Sequence, residues 1–165
     1  MKPANSLTFL FVALGASAAM AATATPADRA FVAKVLQGGM FEVAAGKLAE
    51  TKGSTQDVRD FATAEVHDHT LVGNKLKAIS TSEGVPISAT PNAEFAGKLS
   101  RLSALSGKAF DTEYLTQMAT LHDADGAAFA KEAANGGSSV YRAFGAETHR
   151  IVQRHIGAIH AVPAS

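Results

Sequence analysis

Glycine and proline divide this chain into long segments that are rich in alanine and contain few runs of β-branched residues. Such segments favour α-helices, and glycine or proline at their ends is typical of helix boundaries. We therefore expect an all-α fold. The predicted helices cover about residues 26–51, 54–84, 92–107, 108–134 and 139–161.

Two connections in this pattern are very short, the turn at Gly53 and the turn NGGSS at 135–139. Helices joined by short turns lie antiparallel, and two such hairpins stack as a four-helix bundle. The longer connection at 83–107, with its short helix, then crosses between the hairpins. The sequence predicts one domain over 26–162. Gly38 and Gly39 lie inside the first helix, where they indicate either close packing or a kink.

The start of the chain resembles a targeting segment. Lys2 precedes the apolar run LTFLFVALGASAAMA, which ends in small residues. We expect a signal peptide at 1–21, cleaved near Ala21/Ala22, and a periplasmic or secreted mature protein. No second apolar stretch is long enough to predict a transmembrane segment. With no cysteine in the chain, neither a disulfide nor a lipid anchor on cysteine is available.

Charge and motifs argue against several classes of function. The 15 basic and 15 acidic side chains balance, so nothing favours nucleic acid as a partner. The chain contains no G-x-S-x-G, no H-E-x-x-H, no phosphate-binding loop and no cysteine nucleophile. We therefore do not expect an enzyme. An association with the cell envelope is compatible with export, and the pattern does not indicate an oligomeric state.

Ionisable residues interrupt the apolar face of every long helix near its middle. At 3.6 residues per turn, Glu65 and His69 lie on the inward face of the second helix, whereas His67 lies about 200° away. A rise of 1.5 Å per residue places His69 and His122 at similar depths in the bundle, with His155 within reach. The inward-facing candidates are Glu42, Glu65, His69, His122 and His155.

Three imidazoles and a carboxylate are ligands that suit a divalent transition metal such as Zn, Cu, Fe or Mn. The first hypothesis is one metal ion held by His69, His122 and His155 together with Glu42 or Glu65. In the alternative, each histidine is a separately hydrogen-bonded core residue and no metal binds. A di-iron centre of the ferritin type needs two Glu-x-x-His pairs, and the chain contains none.

The run AFVAKVLQGGMFEVAAGKLAETKGSTQDVRDFATAEVHDHTLVGNKL resembles the start of a bacterial ferritin-like domain of unknown function. That family occurs in exported proteins that are often labelled putative outer-membrane proteins. The shared positions are Gly38, Gly39, Glu42, Leu48, Ala49, Lys52, Phe61, Ala62, Asp68, His69, Phe110, Asp111, Tyr114, Met118, His122, Phe144, Thr148 and His155. The chain departs from the family at Glu65, where methionine is usual, and at His149-Arg150, where Leu-Pro is usual.

The resemblance implies a ferritin-like antiparallel four-helix bundle and does not imply an activity. The resulting functional hypothesis is an exported bundle that binds one transition-metal ion for storage, buffering or sensing. The alternative hypothesis is a metal-free structural or stress-related protein of the cell envelope that acts through its surface.

Overall fold

The computed structural model describes residues 23–163, which form five α-helices and no β-strand. The helices are α1 (Pro26–Lys52), α2 (Gln56–Ser82), α3 (Ala93–Ser103), α4 (Gly107–Asn135) and α5 (Ser139–Ala161). The predicted all-helical class is confirmed, and the crossover contains the expected short helix. The predicted signal peptide at 1–21 lies outside the described residues, so it stays a prediction.

Ser54 and Asp57 have the spacing of a capping box, which predicts Ser54 as the N-cap of α2. The N-cap is instead Thr55, whose side chain accepts a hydrogen bond from the Val58 backbone N–H at 3.3 Å. The hydroxyl of Ser54 donates to Asp111 on α4. The Ser54 side chain therefore bonds to another helix instead of capping α2, as the local spacing had predicted.

The four long helices form a helical bundle in which α1 packs against α2 and α4 packs against α5. Contacts between α1 and α4 and between α2 and α5 join these two hairpins, and α3 covers α1 and α4. Helix α1 continues through both of its central glycines. None of the helices within residues 23–163 is long and apolar enough to cross a lipid bilayer.

The core consists of two apolar clusters with a polar layer between them. One cluster includes Phe41, Phe61 and Tyr114, and the other includes Phe31 and Phe144. On α2, α4 and α5, buried histidine or acidic residues lie between the positions that contribute to the two clusters, and on α1 the buried Glu42 directly follows Phe41. The polar layer is therefore enclosed above and below by dry side chains, which strengthens electrostatic interactions inside it.

Two aspartates with no exposed surface form hydrogen bonds that connect the two hairpins, one at each end of the bundle. Asp28 on α1 accepts hydrogen bonds from the backbone N–H groups of Gly137 and Ser138 in the α4–α5 turn, at 2.8 and 3.1 Å. Asp111 on α4 accepts from the backbone N–H of Ser54 in the α1–α2 turn at 3.0 Å. Each hairpin thus supplies the carboxylate that holds the turn of the other hairpin.

The Asp28 end of the bundle also contains a second buried carboxyl group, Glu132. Burial raises the pKa of Glu132 to about 7, and the hydrogen bond to Asp28 and its negative charge act in the same direction. Burial alone would raise the pKa of Asp28, but hydrogen bonds from Thr25, Glu132 and Gly137 lower it to about 2. Glu132 is therefore the protonated member of the pair.

We expect this pair to make stability depend on pH. Because the folded-state pKa of Glu132 exceeds its ordinary value of 4.5, its contribution is complete below pH 4.5 and is lost as the pH rises through about 7. The variant Glu132→Gln keeps a donor toward Asp28 but does not titrate. Urea unfolding from pH 4.5 to 8 should show a smaller loss of stability for the variant. Parallel curves for the two proteins would contradict this assignment.

Candidate metal centre

Four buried side chains from three helices converge in the polar layer: Glu65 and His69 of α2, His122 of α4 and His155 of α5. Glu65 and His69 are four residues apart, so both project from the same face of α2. Their side chains are at most 5% exposed. One candidate ligand atom from each residue lies within 4.8 Å of the others.

The imidazole nitrogens in this cluster point at one another, because His155 Nδ1 lies 3.2 Å from His69 Nε2 and 3.3 Å from His122 Nε2. Glu65 completes the set. Its Oε1 lies 2.6 Å from His155 Nδ1 and 3.2 Å from His122 Nε2, and its Oε2 lies 3.4 Å from His69 Nε2.

These separations fit the edges of a coordination tetrahedron. Zinc binds histidine nitrogen and carboxylate oxygen at about 2.0–2.2 Å, which gives ligand-to-ligand edges of roughly 3.3–3.6 Å. Four of these five separations are 3.2–3.4 Å, counting both oxygens of Glu65, and the contact between Glu65 Oε1 and His155 Nδ1 is shorter. Neither oxygen of Glu65 has a hydrogen-bond partner of good geometry. The four residues therefore fit a single ion of this size.

The outward-facing nitrogen of each histidine has its own acceptor. His69 Nδ1 lies 2.7 Å from Glu42 Oε2, His122 Nδ1 lies 2.9 Å from the backbone oxygen of Met118, and His155 Nε2 lies 2.9 Å from Asp68 Oδ2. With a hydrogen on each outward nitrogen, every inward nitrogen presents a lone pair to the centre. Metal-binding histidines are commonly held in this way by carboxylates or carbonyl oxygens.

The structure separates the two glutamates that the sequence had left as alternatives. Glu65 lies among the inward nitrogens, whereas Glu42 lies on the outer side of His69. Outside the cluster, His67 and His160 are exposed, and the ring of His149 contacts the backbone oxygen of Gly126 at 3.1 Å.

Sequence reasoning gave no specific role to Asp68, which connects His155 to the surface through Arg154. Helical periodicity places Asp68 about 100° from His69, away from the inward face of α2. Its carboxylate reaches His155 because α5 packs beside that flank of α2. The sequence signals for Asp68 were its position next to a candidate ligand and its place among the positions shared with the resembled family.

Opposite charges dominate the electrostatics of the cluster. Burial would lower the pKa of His69, but the charge and hydrogen bond of Glu42 and the charge of Glu65 raise it to about 9. The pKa of His122 is raised in the same way by Glu65 and Glu42. Burial would raise the pKa of Glu65, but the adjacent imidazoles of His122 and His155 lower it to about 2. The cluster therefore favours positive charge at its centre.

We expect Asp68→Ala to weaken metal binding without abolishing it. The variant keeps all four candidate ligands but removes the acceptor that orients His155, a type of loss that typically costs 10–100-fold in metal affinity. Asp60→Ala is a matched control on α2, because Asp60 is exposed and accepts a hydrogen bond from Gln56 on the same helix. Competition titration with a chromogenic chelator would measure both affinities. Equal affinities for wild type and Asp68→Ala would contradict a role in orienting His155.

Comparison with known protein families assigns the chain to one of them. Residues 13–162 match the family described as a domain of unknown function, DUF4142. The chain belongs to the DUF4142 family. No curated protein matches it.

One solved structure shares the fold of this DUF4142 chain. It is the crystal structure of a DUF305 fragment from Deinococcus radiodurans, with a TM-score of 0.74 and 16% sequence identity. The similarity covers 85% of this chain and 97% of the DUF305 chain. At this level of identity the likeness concerns the fold alone, so it transfers neither a ligand nor an activity.

Proposed function

We propose that the protein binds one divalent transition-metal ion through Glu65, His69, His122 and His155. The observation that carries the proposal is the convergence of three inward imidazole nitrogens and one carboxylate at distances that suit a tetrahedral ion. A bound cation would also offset the cost of burying these polar groups, which amounts to several kcal/mol for an uncompensated charge. Four-coordinate geometry favours Zn²⁺ among the candidate metals Zn, Cu, Fe and Mn.

The proposed set of four ligands also favours a non-catalytic role for the ion. Catalytic zinc sites usually keep an open position for water, whereas here the protein supplies four ligands and all four are buried. We therefore propose storage, buffering or sensing of metal rather than catalysis. The same proposal includes a ferritin-like helix arrangement with a mononuclear centre in place of a di-iron site. It also includes export to the periplasm or beyond, which rests on the predicted signal peptide.

Elemental analysis of protein purified from its native compartment without a histidine tag tests the proposal directly. We expect close to one equivalent of transition metal per chain. Removal of the ion should lower the melting temperature and its return should restore it, because a ligand at 100 times its Kd stabilises the folded state by about 2.7 kcal/mol. If the purified protein contained no metal and its melting temperature did not change on addition of Zn, Cu, Mn or Fe, the proposal would be refuted. The alternative hypothesis of a metal-free cell-envelope protein would then remain.

A further inference from the structure

A pocket of about 330 Å³ opens between α1 and α2 and extends inward to α4. Its mouth is formed by exposed residues that include Lys47, Thr70 and Asn74. Binding sites for small organic molecules typically measure about 300–1,000 Å³ and have mostly apolar walls with a few polar groups. We refer to this space, whose floor includes Asp125 and Phe129, as the α1–α2 pocket.

Apolar side chains line most of the α1–α2 pocket, among them Val35, Leu36, Val72, Leu76 and Phe129. Its polar residues at the inner end are Glu42, His69 and Asp125. A hydrated metal ion gains little from apolar walls, whereas an organic group gains about 25 cal/mol for each Å² of apolar surface removed from water. The composition of the walls therefore indicates an organic ligand rather than a second ion.

Two glycines keep the α1–α2 pocket open. Gly39 on α1 and Gly73 on α2 both line it, and a Cβ at either position would meet no atom within 4 Å. Inside a helix each glycine costs about 1 kcal/mol relative to alanine. Close packing explains Gly38, where a Cβ would lie 2.6 Å from Asp125 Oδ2, but it does not explain Gly39 or Gly73. What these two glycines provide is space.

The carboxyl groups at the inner end have unused hydrogen-bonding capacity. Glu42 and Asp125 are 1% and 2% exposed, and Glu42 Oε1 and Asp125 Oδ1 have no hydrogen-bond partner within residues 23–163. Glu42 Oε1 lies 3.6 Å from His122 Nδ1, and Asp125 Oδ1 lies 3.9 Å from Lys34 Nζ. Both are too distant for a hydrogen bond. A buried acceptor without a donor is costly, and both residues line the pocket, so the inner end of the pocket is where a donor would be most favourable.

We propose that the α1–α2 pocket binds a small organic amine, whose apolar group fills the pocket and whose ammonium group contacts Glu42 and Asp125. A protonated amine supplies several N–H donors and a positive charge at the point where one oxygen of Glu42 and one oxygen of Asp125 lack a hydrogen-bond partner. Its apolar part covers the walls that the glycines leave free. Of the four candidate metal ligands, only His69 lines the α1–α2 pocket. The proposed amine contacts are with Glu42 and Asp125, so amine binding does not require a bound ion.

Three probes of similar shape test the class of ligand: 2-phenylethylamine, 2-phenylethanol and phenylacetate. Calorimetric titration is carried out on the purified protein in both metal-free and metal-loaded forms. We expect the amine to bind at least about tenfold more tightly than the alcohol, because hydrogen bonds to charged groups are stronger than neutral ones, and phenylacetate to bind weakest. Absence of amine binding, or equal binding of amine and alcohol, would refute the proposal.

Variants locate the binding. Gly73→Leu places a side chain into the α1–α2 pocket without a clash at Cβ, and we expect it to weaken amine binding at least about tenfold. Gly157→Leu is the matched control, because Gly157 on α5 also has no atom within 4 Å of a Cβ and lies outside this pocket. Wild-type affinity in Gly73→Leu would place the amine elsewhere and overturn the assignment.

A third variant tests the proposed contact between the ammonium group and Asp125. We expect Asp125→Asn to reduce the preference for amine over alcohol, while the affinity for the alcohol changes little. An unchanged preference would contradict this contact. These readouts are independent of metal binding. Amine binding to a protein that takes up no metal would refute only the proposed function. Metal binding without amine binding would refute only the pocket assignment.

Discussion

His122→Ala should lower the affinity for the metal ion by more than about 100-fold and abolish metal-dependent thermal stabilisation. Loss of a residue that merely orients a ligand typically costs 10–100-fold, and His122 is itself one of the four candidate ligands. Its Nε2 lies 3.3 Å from His155 Nδ1 and 3.2 Å from Glu65 Oε1, so its removal leaves the proposed ion with three of its four ligands. Isothermal titration and melting curves with and without metal would measure both effects.

The control for this prediction is His67→Ala, since His67 lies on α2 close to the cluster in sequence but is exposed. It should leave affinity and stabilisation unchanged. Because His122 is fully buried, its truncation also creates a cavity. Glu65→Gln is therefore a second test that nearly preserves side-chain volume and removes the charge. If either folded variant bound the ion as tightly as wild type, the proposed ligand set would be wrong.

Asp28→Ala should destabilise the fold by about 3–5 kcal/mol. The carboxylate accepts hydrogen bonds from Thr25 N–H at 2.7 Å and from the backbone N–H groups of Gly137 and Ser138. Each buried donor that loses its acceptor costs about 1–3 kcal/mol, and water cannot fully replace a residue that has no exposed surface. Urea unfolding monitored by circular dichroism would measure the change.

Asp123→Ala is the comparison for this effect, because Asp123 is an exposed aspartate inside a long helix. Surface substitutions of this kind usually change stability by less than about 0.5 kcal/mol. The loss of stability in Asp28→Asn should lie between those of Asp123→Ala and Asp28→Ala, since the amide keeps one acceptor oxygen. A loss of less than 1 kcal/mol in Asp28→Ala would mean that the α4–α5 turn does not depend on α1.

The sequence predicted the helices well because their boundaries are set locally. Pro26 at the start of α1, Gly53 after it and Gly136 after α4 mark boundaries that agree with the structure within a few residues. The exception is the start of α2, where Ser54 donates to Asp111 rather than capping its own helix. That bond depends on α4, which no local pattern around Ser54 contains.

The candidate site was predicted in part for the same reason. Helical periodicity depends only on the chain's own geometry, and it correctly predicted buried positions for Glu42, Glu65, His69, His122 and His155. It could not separate Glu65 from Glu42 or find the bond between Asp68 and His155. Boundary errors of 2–4 residues correspond to roughly 3–6 Å along a helix. Metal coordination is sensitive to about 0.2 Å, far below that uncertainty.

By itself, the sequence determined where the helices lie, which side chains face inward, and that three histidines with acidic neighbours occupy the interior. Tertiary structure alone decided which nitrogens face one another, that Asp28 and Asp111 hold the turns of opposite hairpins, and that Gly39 and Gly73 border an open pocket. The physical reason for this division is that the two groups of features depend on interactions of different range along the chain. Backbone propensity and periodicity act within a few turns of one helix, whereas these contacts depend on the rotation and axial offset of helices far apart in the chain.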